Sequence, residues 1–281
     1  MSAEEKPKQT LNSHISRWLV ALVLLPPVVF CILSSQELFF FGLILLVGGL
    51  TWWEYSNSML GAGRTNLLVL ALSGWLAVAL GAFLYGPFGQ SIGLVIALAL
   101  GAGYTMWWLE RESGPMLLNI LGRFSLGQLY LSFLLSFFLL LKKTGAGEKW
   151  LLYTLVVTIT ADTAAYYVGR KMQGPKLWPK ISPNKTISGL VGGAVAAMVV
   201  SIISAAFLPV SFVALGLLGL FLGFWGAMGD LFESALKRAI DIKDSSTILM
   251  GHGGFWDRLD ALLFNIVPVY IVADLFVDKM I

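Results

Sequence analysis

The segment FSLGQLYLSFLLSFFLLL, from Phe124 to Leu141, has no charged side chain and approaches the ~20 residues with which a helix crosses a bilayer. Comparable segments recur throughout the 281 residues, of which 57% are hydrophobic and 12% charged, and the mean hydropathy is +0.80. Nine candidate spans are predicted, at approximately 18–34, 38–53, 66–85, 91–109, 124–141, 150–168, 187–208, 211–229 and 261–273. The sequence therefore predicts an all-α, polytopic integral membrane protein and excludes a soluble Rossmann, TIM-barrel or immunoglobulin domain.

The basic residues predict the orientation in the membrane. Nine spans place the two termini on opposite sides, and Lys and Arg accumulate on the cytoplasmic side of membrane proteins. With a cytoplasmic N-terminus, 15 of the 19 basic residues lie on the cytoplasmic side and 4 on the other. We therefore expect a cytoplasmic N-terminus, with the polar connections 169–186 and 230–260 together on the cytoplasmic face.

Three regions follow from this pattern. Residues 1–17 are expected to form a cytoplasmic tail, and 18–149 a set of transmembrane helices that provide scaffold, lipid access and dimer contacts. Residues 150–281 are expected to form the catalytic region.

The formal net charge of +3, without a polybasic arm, argues against a nucleic-acid partner. The single cysteine, Cys31, cannot form an intrachain disulfide and is expected to serve packing.

Acidic residues of the C-terminal region are candidates for chemistry. Asp162 lies inside an apolar span, where a carboxylate is costly unless it is paired or faces water, so we expect it to face a polar cavity. Asp257 and Asp260 share one helical face, and Asp230 could add a third carboxylate. Such hard oxygen ligands suit Mg²⁺. A structural hydrogen bond for Asp162, and a solvated helix start paired with Arg258, are the simpler alternatives.

Basic residues and glycines lie between these acids. Lys237, Arg238 and Lys243 precede Gly251-His-Gly-Gly254, where backbone N–H groups could hold phosphate oxygens. Glycines also end helices, so the glycines alone are weak evidence. Their position between basic residues and a carboxylate pair is the stronger indication.

The connection 174–189 carries a second candidate anion site. Ser182, Lys185 and Thr186 stand just before a predicted helix, together with Lys176 and Lys180. Charge alone favours a simpler interpretation, in which the loop lies beside anionic lipid headgroups.

These motifs together resemble a known family. Ser234-Ala-Leu-Lys-Arg238, Lys243-Asp244 and Gly251-His-Gly-Gly-Phe-Trp-Asp-Arg-Leu-Asp260 resemble, at fixed spacing, the signature of the phosphatidate cytidylyltransferases (CDP-diacylglycerol synthases). Residues 161–170 and 182–189 resemble two further motifs of that family, whereas the N-terminal half has none.

This sequence departs from the family pattern at four positions, namely Asn184, Ser188, Ser246 and Met250, where the family usually has lysine, glutamate, glycine and proline. The change at Ser188 removes a carboxylate from the anion loop and leaves the role of that loop less secure.

The resemblance implies transfer of the cytidylyl group of CTP to phosphatidate, with CDP-diacylglycerol and pyrophosphate as products. It also implies a homodimer in the bacterial cytoplasmic membrane that requires one or two Mg²⁺ ions and contacts membrane lipids. The residues expected to bind metal are Asp230, Asp257 and Asp260. The expected catalytic residues are Lys243, Asp244, His252 and Arg258. The expected substrate-binding residues are Asp162, Ser182, Lys185, Thr186, Lys237, Arg238, Gly251, Gly253 and Gly254.

Two other functions remain compatible with the residues. A membrane lipid or polyprenol kinase using CTP or ATP would need a base near the γ-phosphate. A non-enzymatic lipid or ion transporter would place charges on several central spans, whereas here Asp162 is the main deeply placed charge. A cytidylyltransferase needs no general base, because a phosphate monoester is already ionised near neutral pH. His252 is then expected to position a phosphate.

Overall fold

The computed structural model describes residues 23, 25–61, 64–108, 114–243, 245–246 and 254–276. Within these ranges nearly all residues are helical, since every backbone polar group in a bilayer must find an internal partner. Residues 25–33 are helical. The remaining elements are α1 (Glu37–Tyr55), a π-helix (Ser56–Gly61), α2 (Thr65–Trp108), α3 (Gly114–Gly127), a second π-helix (Gln128–Phe133), α4 (Leu134–Lys142), α5 (Gly147–Met172), β1 (Lys176–Trp178), β2 (Ser182–Thr186), α6 (Ile187–Ser204), α7 (Phe212–Arg238) and α8 (Trp256–Phe276).

Six helical segments are long and apolar enough to cross a membrane, among the residues that the structure describes. They are Glu37–Gly61, Thr65–Trp108, Gly114–Lys142, Gly147–Met172, Ile187–Ser204 and Phe212–Arg238. Large apolar side chains such as Leu118, Ile203 and Leu217 are exposed on the helices, as expected of surfaces that face lipid. The all-α membrane class is thereby confirmed, with one small exception, the antiparallel β1–β2 hairpin.

The count of nine spans and the cytoplasmic N-terminus stay predictions. The tail 1–17 and the start of the first predicted span lie outside the described residues. The ninth predicted span corresponds to α8, which is not among the six apolar segments.

Helix α2 folds back on itself and covers two predicted spans. At Gly86 the backbone adopts φ 66° and ψ −148°, a conformation that glycine tolerates, and Pro87 then starts the second half without needing an N–H partner. A Cβ added at Gly81 would overlap the carbonyl of Gly89, although a straight helix would separate these residues by about 12 Å. The two halves are therefore antiparallel neighbours.

Small residues bring α5, α6, α7 and α8 into close contact. A Cβ at Gly193 of α6 would lie 2.8 Å from the carbonyl oxygen of Ala161 in α5, and one at Gly229 of α7 would lie 2.5 Å from the carbonyl oxygen of Asp260 in α8. Close backbone approach of this kind is typical of helix pairs in membranes. These glycines adjoin Asp162, Asp230 and Asp260, so the same packing brings the three acids towards one another.

The N-terminal half packs against the C-terminal bundle through aromatic side chains. Tyr55, the last residue of α1, lies edge-on to Trp256, the first residue of α8, with ring centroids 5.1 Å apart. Trp52 donates a hydrogen bond to Ser132 Oγ at 2.8 Å and contacts the ring of Tyr55. The end of α1 is thus fixed beside the start of α8.

Candidate active site

A polar cavity of about 930 Å³ lies where the end of α5, the β hairpin, the start of α6, the end of α7 and the start of α8 meet. The acidic residues that line it are Asp162, Asp230, Glu233, Asp257 and Asp260, and the basic ones are Arg170, Lys176, Lys185, Lys237 and Arg258. The two connections that the sequence placed on one face, 169–186 and 230–260, therefore meet at one site. Arg238 Nε also reaches the carbonyl of Ile181, at 3.4 Å.

Lys185 connects the β hairpin to the acidic side of the cavity. Its ammonium forms an ion pair with Asp230 and acts electrostatically on Asp162 and Asp260. Strand β2 carries Lys185 to this position, and the next residue, Thr186, caps α6 by accepting a hydrogen bond from Gly189 N at 3.1 Å. Asp162, Lys185, Thr186, Asp230 and Asp260 are thus brought together, as the sequence predicts.

Lys237 is already neutralised by two carboxylates. Its Nζ lies 2.8 Å from Glu233 Oε1 and 2.8 Å from Asp257 Oδ1, and all three side chains are largely buried. These contacts offset the charge of Lys237 within the protein, and the substrate-binding role expected of Lys237 stays a prediction. Glu233 was missed by the sequence argument, although an acid four residues before a lysine on one helix is a recognisable pairing signal.

Asp257 holds the protein's own backbone. Its carboxylate accepts hydrogen bonds from Gly254 N at 2.8 Å and Ser245 N at 3.2 Å, in addition to Lys237. Burial by itself raises the pKa of Asp257, but the hydrogen bonds that its carboxylate accepts from Glu233, Lys237 and the Gly254 backbone outweigh burial, and the pKa lies below its usual range. These contacts hold the Asp257 carboxylate in place, and the metal-ligand role expected of Asp257 stays a prediction.

The donor set can be compared with the needs of Mg²⁺. Among the described residues no group of three or more His, Cys, Asp or Glu is arranged to hold a metal ion. Mg²⁺ commonly uses one or two protein carboxylates together with waters and substrate phosphates. Asp230 and Asp260, which line the cavity beside each other's negative charge, fit that smaller requirement.

Several other predicted residues lie away from the cavity lining. Ser182 pairs with Trp178 in the β hairpin, Arg238 bonds to the Ile242 carbonyl at 3.2 Å, and Lys243 is exposed. The N–H of Gly254 is used by Asp257, so it is not free for a phosphate. Arg258 lines the cavity as predicted. The predicted residues Asp244, Gly251, His252 and Gly253 lie outside the described residues.

Ser188 and Glu54, which are outside the predicted set, fix segments next to the cavity. Ser188, which stands where the family usually has glutamate, accepts a hydrogen bond from Gly174 N at 3.3 Å and closes the base of the β hairpin. Glu54, near the end of α1, is only 1% exposed. Its carboxylate contacts residues on both sides of the glycine loop, which is the stretch between Ser246 and Phe255. No sequence motif pointed to Glu54, because its partners are about two hundred residues away.

The fold and the cavity define an integral membrane protein in which acids and bases from four helices and a hairpin converge on one cavity. The chain matches the Cytidylyltransferase family over residues 15–276 and belongs to it. The apolar helices and the bacterial relatives place it in the bacterial cytoplasmic membrane.

Relatives of this chain carry a common name. It is 42% identical over 158 residues to a phosphatidate cytidylyltransferase of Bacillus subtilis (strain 168), covering 55% of this chain and 59% of that protein. It is 43% identical over 120 residues to a phosphatidate cytidylyltransferase of Staphylococcus haemolyticus (strain JCSC1435), covering 42% and 46% of the two chains. The chain thus spans about half the length of the curated relatives it matches.

Proposed function

We propose that this protein transfers the cytidylyl group of CTP to phosphatidate, forming CDP-diacylglycerol and pyrophosphate. The observation that carries the proposal is the cavity in which Lys185 and Arg258 lie beside the carboxylates of Asp162, Asp230 and Asp260. Membership of the Cytidylyltransferase family and relatives named phosphatidate cytidylyltransferase support the choice of reaction.

The chemistry needs positioning more than proton transfer. The phosphate of phosphatidate attacks the α-phosphorus of CTP in line, so that one P–O bond forms while the bond to pyrophosphate breaks. Lys185 and Arg258 neutralise phosphate oxygens, and the N-terminus of α6 adds partial positive charge at the cavity. Fixed charge at the place where negative charge develops is usually a large contribution to such catalysis.

Asp230 and Asp260 are the residues that would hold Mg²⁺ in this site. The bound ion would neutralise charge on the leaving pyrophosphate. Asp230 also forms an ion pair with Lys185. Replacing Asp230 or Asp260 by Asn is expected to raise the Mg²⁺ concentration needed for half-maximal rate. Asp274→Asn, on the same helix as Asp260 but outside the cavity lining, is the matched control. An unchanged Mg²⁺ dependence in both cavity variants would contradict this assignment.

The membrane context fits two substrates of different solubility. Phosphatidate reaches the cavity laterally from the bilayer, and CTP arrives from the cytoplasm. Five basic residues line the cavity, and basic residues favour the cytoplasmic side of the membrane. The active form is proposed to be a homodimer assembled through the N-terminal helices. The mass of the detergent-solubilised particle, measured by light scattering with correction for detergent, tests that state.

One assay distinguishes the proposed reaction from its alternatives. Purified protein is incubated with labelled CTP, phosphatidate and Mg²⁺, and the products are separated. Release of pyrophosphate with formation of a CDP-lipid is expected. The assay is repeated with ATP in place of CTP and with diacylglycerol or a polyprenol in place of phosphatidate. Release of CDP or ADP with a phosphorylated lipid would then identify a kinase, and the absence of nucleotide turnover in every combination would favour a transporter.

A further inference from the structure

Glu54 is a buried carboxylate whose acceptor capacity is taken up by one segment of the C-terminal region. Its Oε1 accepts hydrogen bonds from Ser246 Oγ at 2.6 Å and from Phe255 N at 3.0 Å. Its Oε2 accepts from Ser245 Oγ at 3.0 Å and from Trp256 N at 2.9 Å. Each oxygen therefore binds one hydroxyl and one backbone N–H, which offsets the cost of burying the charge.

These four donors lie on both sides of the glycine loop. Ser245 and Ser246 precede it, and Phe255 and Trp256 follow it. Trp256 is the first residue of α8, where backbone N–H groups lack helical acceptors and carry partial positive charge. A carboxylate from α1 thus caps a helix that begins about two hundred residues later in the chain.

Asp257, the second residue of α8, also holds the two ends of the glycine loop together. It binds Ser245 N and Gly254 N, so the same two ends of the loop are joined a second time. Gly254 sits so close to Glu54 that an added Cβ would overlap the Glu54 carboxylate. The start of α8 is consequently fixed between two carboxylates, one of them supplied by the N-terminal half.

The cavity depends on where α8 starts. Arg258 and Asp260 lie two and four residues after Trp256, and both line the cavity. A shift of the first turn of α8 would move both side chains relative to Lys185 and Asp230. Displacements of about 1 Å can reduce the rate of a positioned reaction about 10²-fold.

We propose that Glu54 is a positioning residue, which fixes the ends of the glycine loop and the first turn of α8 so that Arg258 and Asp260 keep their places in the cavity. The proposal rests on the cytidylyl transfer proposed above. It assigns a role in that reaction to the N-terminal half, outside the motifs of the sequence.

The test compares three variants. Glu54→Gln keeps the size of the side chain but replaces one acceptor oxygen by an NH₂ donor, which leaves a backbone N–H of Phe255 or Trp256 without its partner. Glu54→Asp retains both oxygens. Glu37→Gln, at the exposed start of the same helix and with a side chain 51% exposed, is the matched control.

Steady-state kinetics, amide hydrogen exchange and thermal unfolding are measured for each purified variant. For Glu54→Gln we expect kcat to fall at least about ten-fold, with a KM for phosphatidate within about two-fold of the wild-type value. We expect faster amide exchange in residues 254–260 and unchanged exchange in α6 and α7. Glu54→Asp should regain part of kcat, and Glu37→Gln should match the wild type.

Three results would overturn the proposal. A wild-type kcat in Glu54→Gln, or unchanged exchange at residues 255–256, would show that the contact does not position the site. Faster exchange throughout the bundle, with Glu54→Asp as impaired as Glu54→Gln, would indicate a general role in stability. Inactive wild-type protein would overturn the proposed reaction and the positioning role with it, and the exchange data would then show only whether the contact forms.

Discussion

Lys185 and Lys237 lie on the same cavity but have different surroundings. Lys237 is held between Glu233 and Asp257, with its side chain 11% exposed. In the part of the chain that the structure describes, the one ion pair of Lys185 is with Asp230, and its side chain is 25% exposed. A cation with one partner and access to the cavity can exchange that partner for a phosphate, whereas a cation between two buried carboxylates is a structural element.

We predict that Lys185→Gln lowers the rate of pyrophosphate release about 10²-fold or more, because it removes fixed positive charge from the site of phosphate transfer. Lys180→Gln is the control, since Lys180 lies exposed in the turn of the same β hairpin. Rates are measured with saturating CTP and phosphatidate. Equal rates in the two variants would contradict the role of Lys185.

Lys237→Met is predicted to act on stability. It leaves Glu233 and Asp257 buried without their cation, and breaking a buried pair in this way costs about 3–5 kcal/mol. The midpoint of thermal unfolding in detergent should fall clearly below that of the wild type and of Lys171→Met, a change at an exposed residue of α5. An unchanged midpoint would show that the two ion pairs contribute little.

Helices α5 to α8 owe their spacing to glycines rather than to large interlocking side chains. Gly193, Gly223 and Gly229 each face the backbone of a neighbouring helix, so the acids beside them converge on one cavity. Without a hydrophobic driving force between helices in lipid, such close packing supplies much of the attraction between them. The geometry of the site is therefore a consequence of helix spacing.

Gly223→Ala is predicted to separate α6 from α7, because the added Cβ would overlap the Cα of Ala194, and backbone cannot move aside cheaply. Gly42→Ala is the control, since a Cβ there meets nothing within 4 Å and the helix propensity gained is the same. Thermal unfolding and pyrophosphate release are compared. A loss in Gly223→Ala, with none in Gly42→Ala, is the expected outcome. Equal behaviour would argue against this packing role.

At the scale of the whole molecule, the two ends of the bundle differ in character. At one end Lys142 binds the carbonyl oxygens of Ile32 and Ser34, at 2.5 and 3.1 Å, and joins the turns that follow residue 33 and precede α5. At the other end lies the cavity with its basic residues. The positive-inside rule favours a cytoplasmic cavity, and this orientation stays a prediction.

We predict that the cavity end and the N-terminus face the cytoplasm. Single cysteines are introduced at Ser2, Gly145, Pro175 and Lys279 in a variant lacking Cys31, and intact cells are treated with an impermeant thiol reagent. Labelling is expected at Gly145 and Lys279 only. The reverse pattern would invert the topology, and labelling at Gly145 without Lys279 would mean that the last predicted span does not cross.

The sequence by itself determined the membrane class, most helix positions, most of the acids and bases of the cavity and the family. These features are readable because apolar length, charge and motif spacing are local properties of the chain. The convergence of Asp162, Lys185, Asp230 and Asp260 also followed from placing two polar connections on one face.

Only the tertiary structure decided which partners the charged groups have within the protein. Asp257 and Lys237 belong to a predicted motif, but the motif does not record that Asp257 binds the Gly254 backbone or that Lys237 pairs with Glu233. Glu54 was invisible because its partner Ser245 lies 191 residues away along the chain. A hydrogen bond depends on distance in space, and the packing of α1 against the start of α8 sets that distance, which no local pattern of residues records.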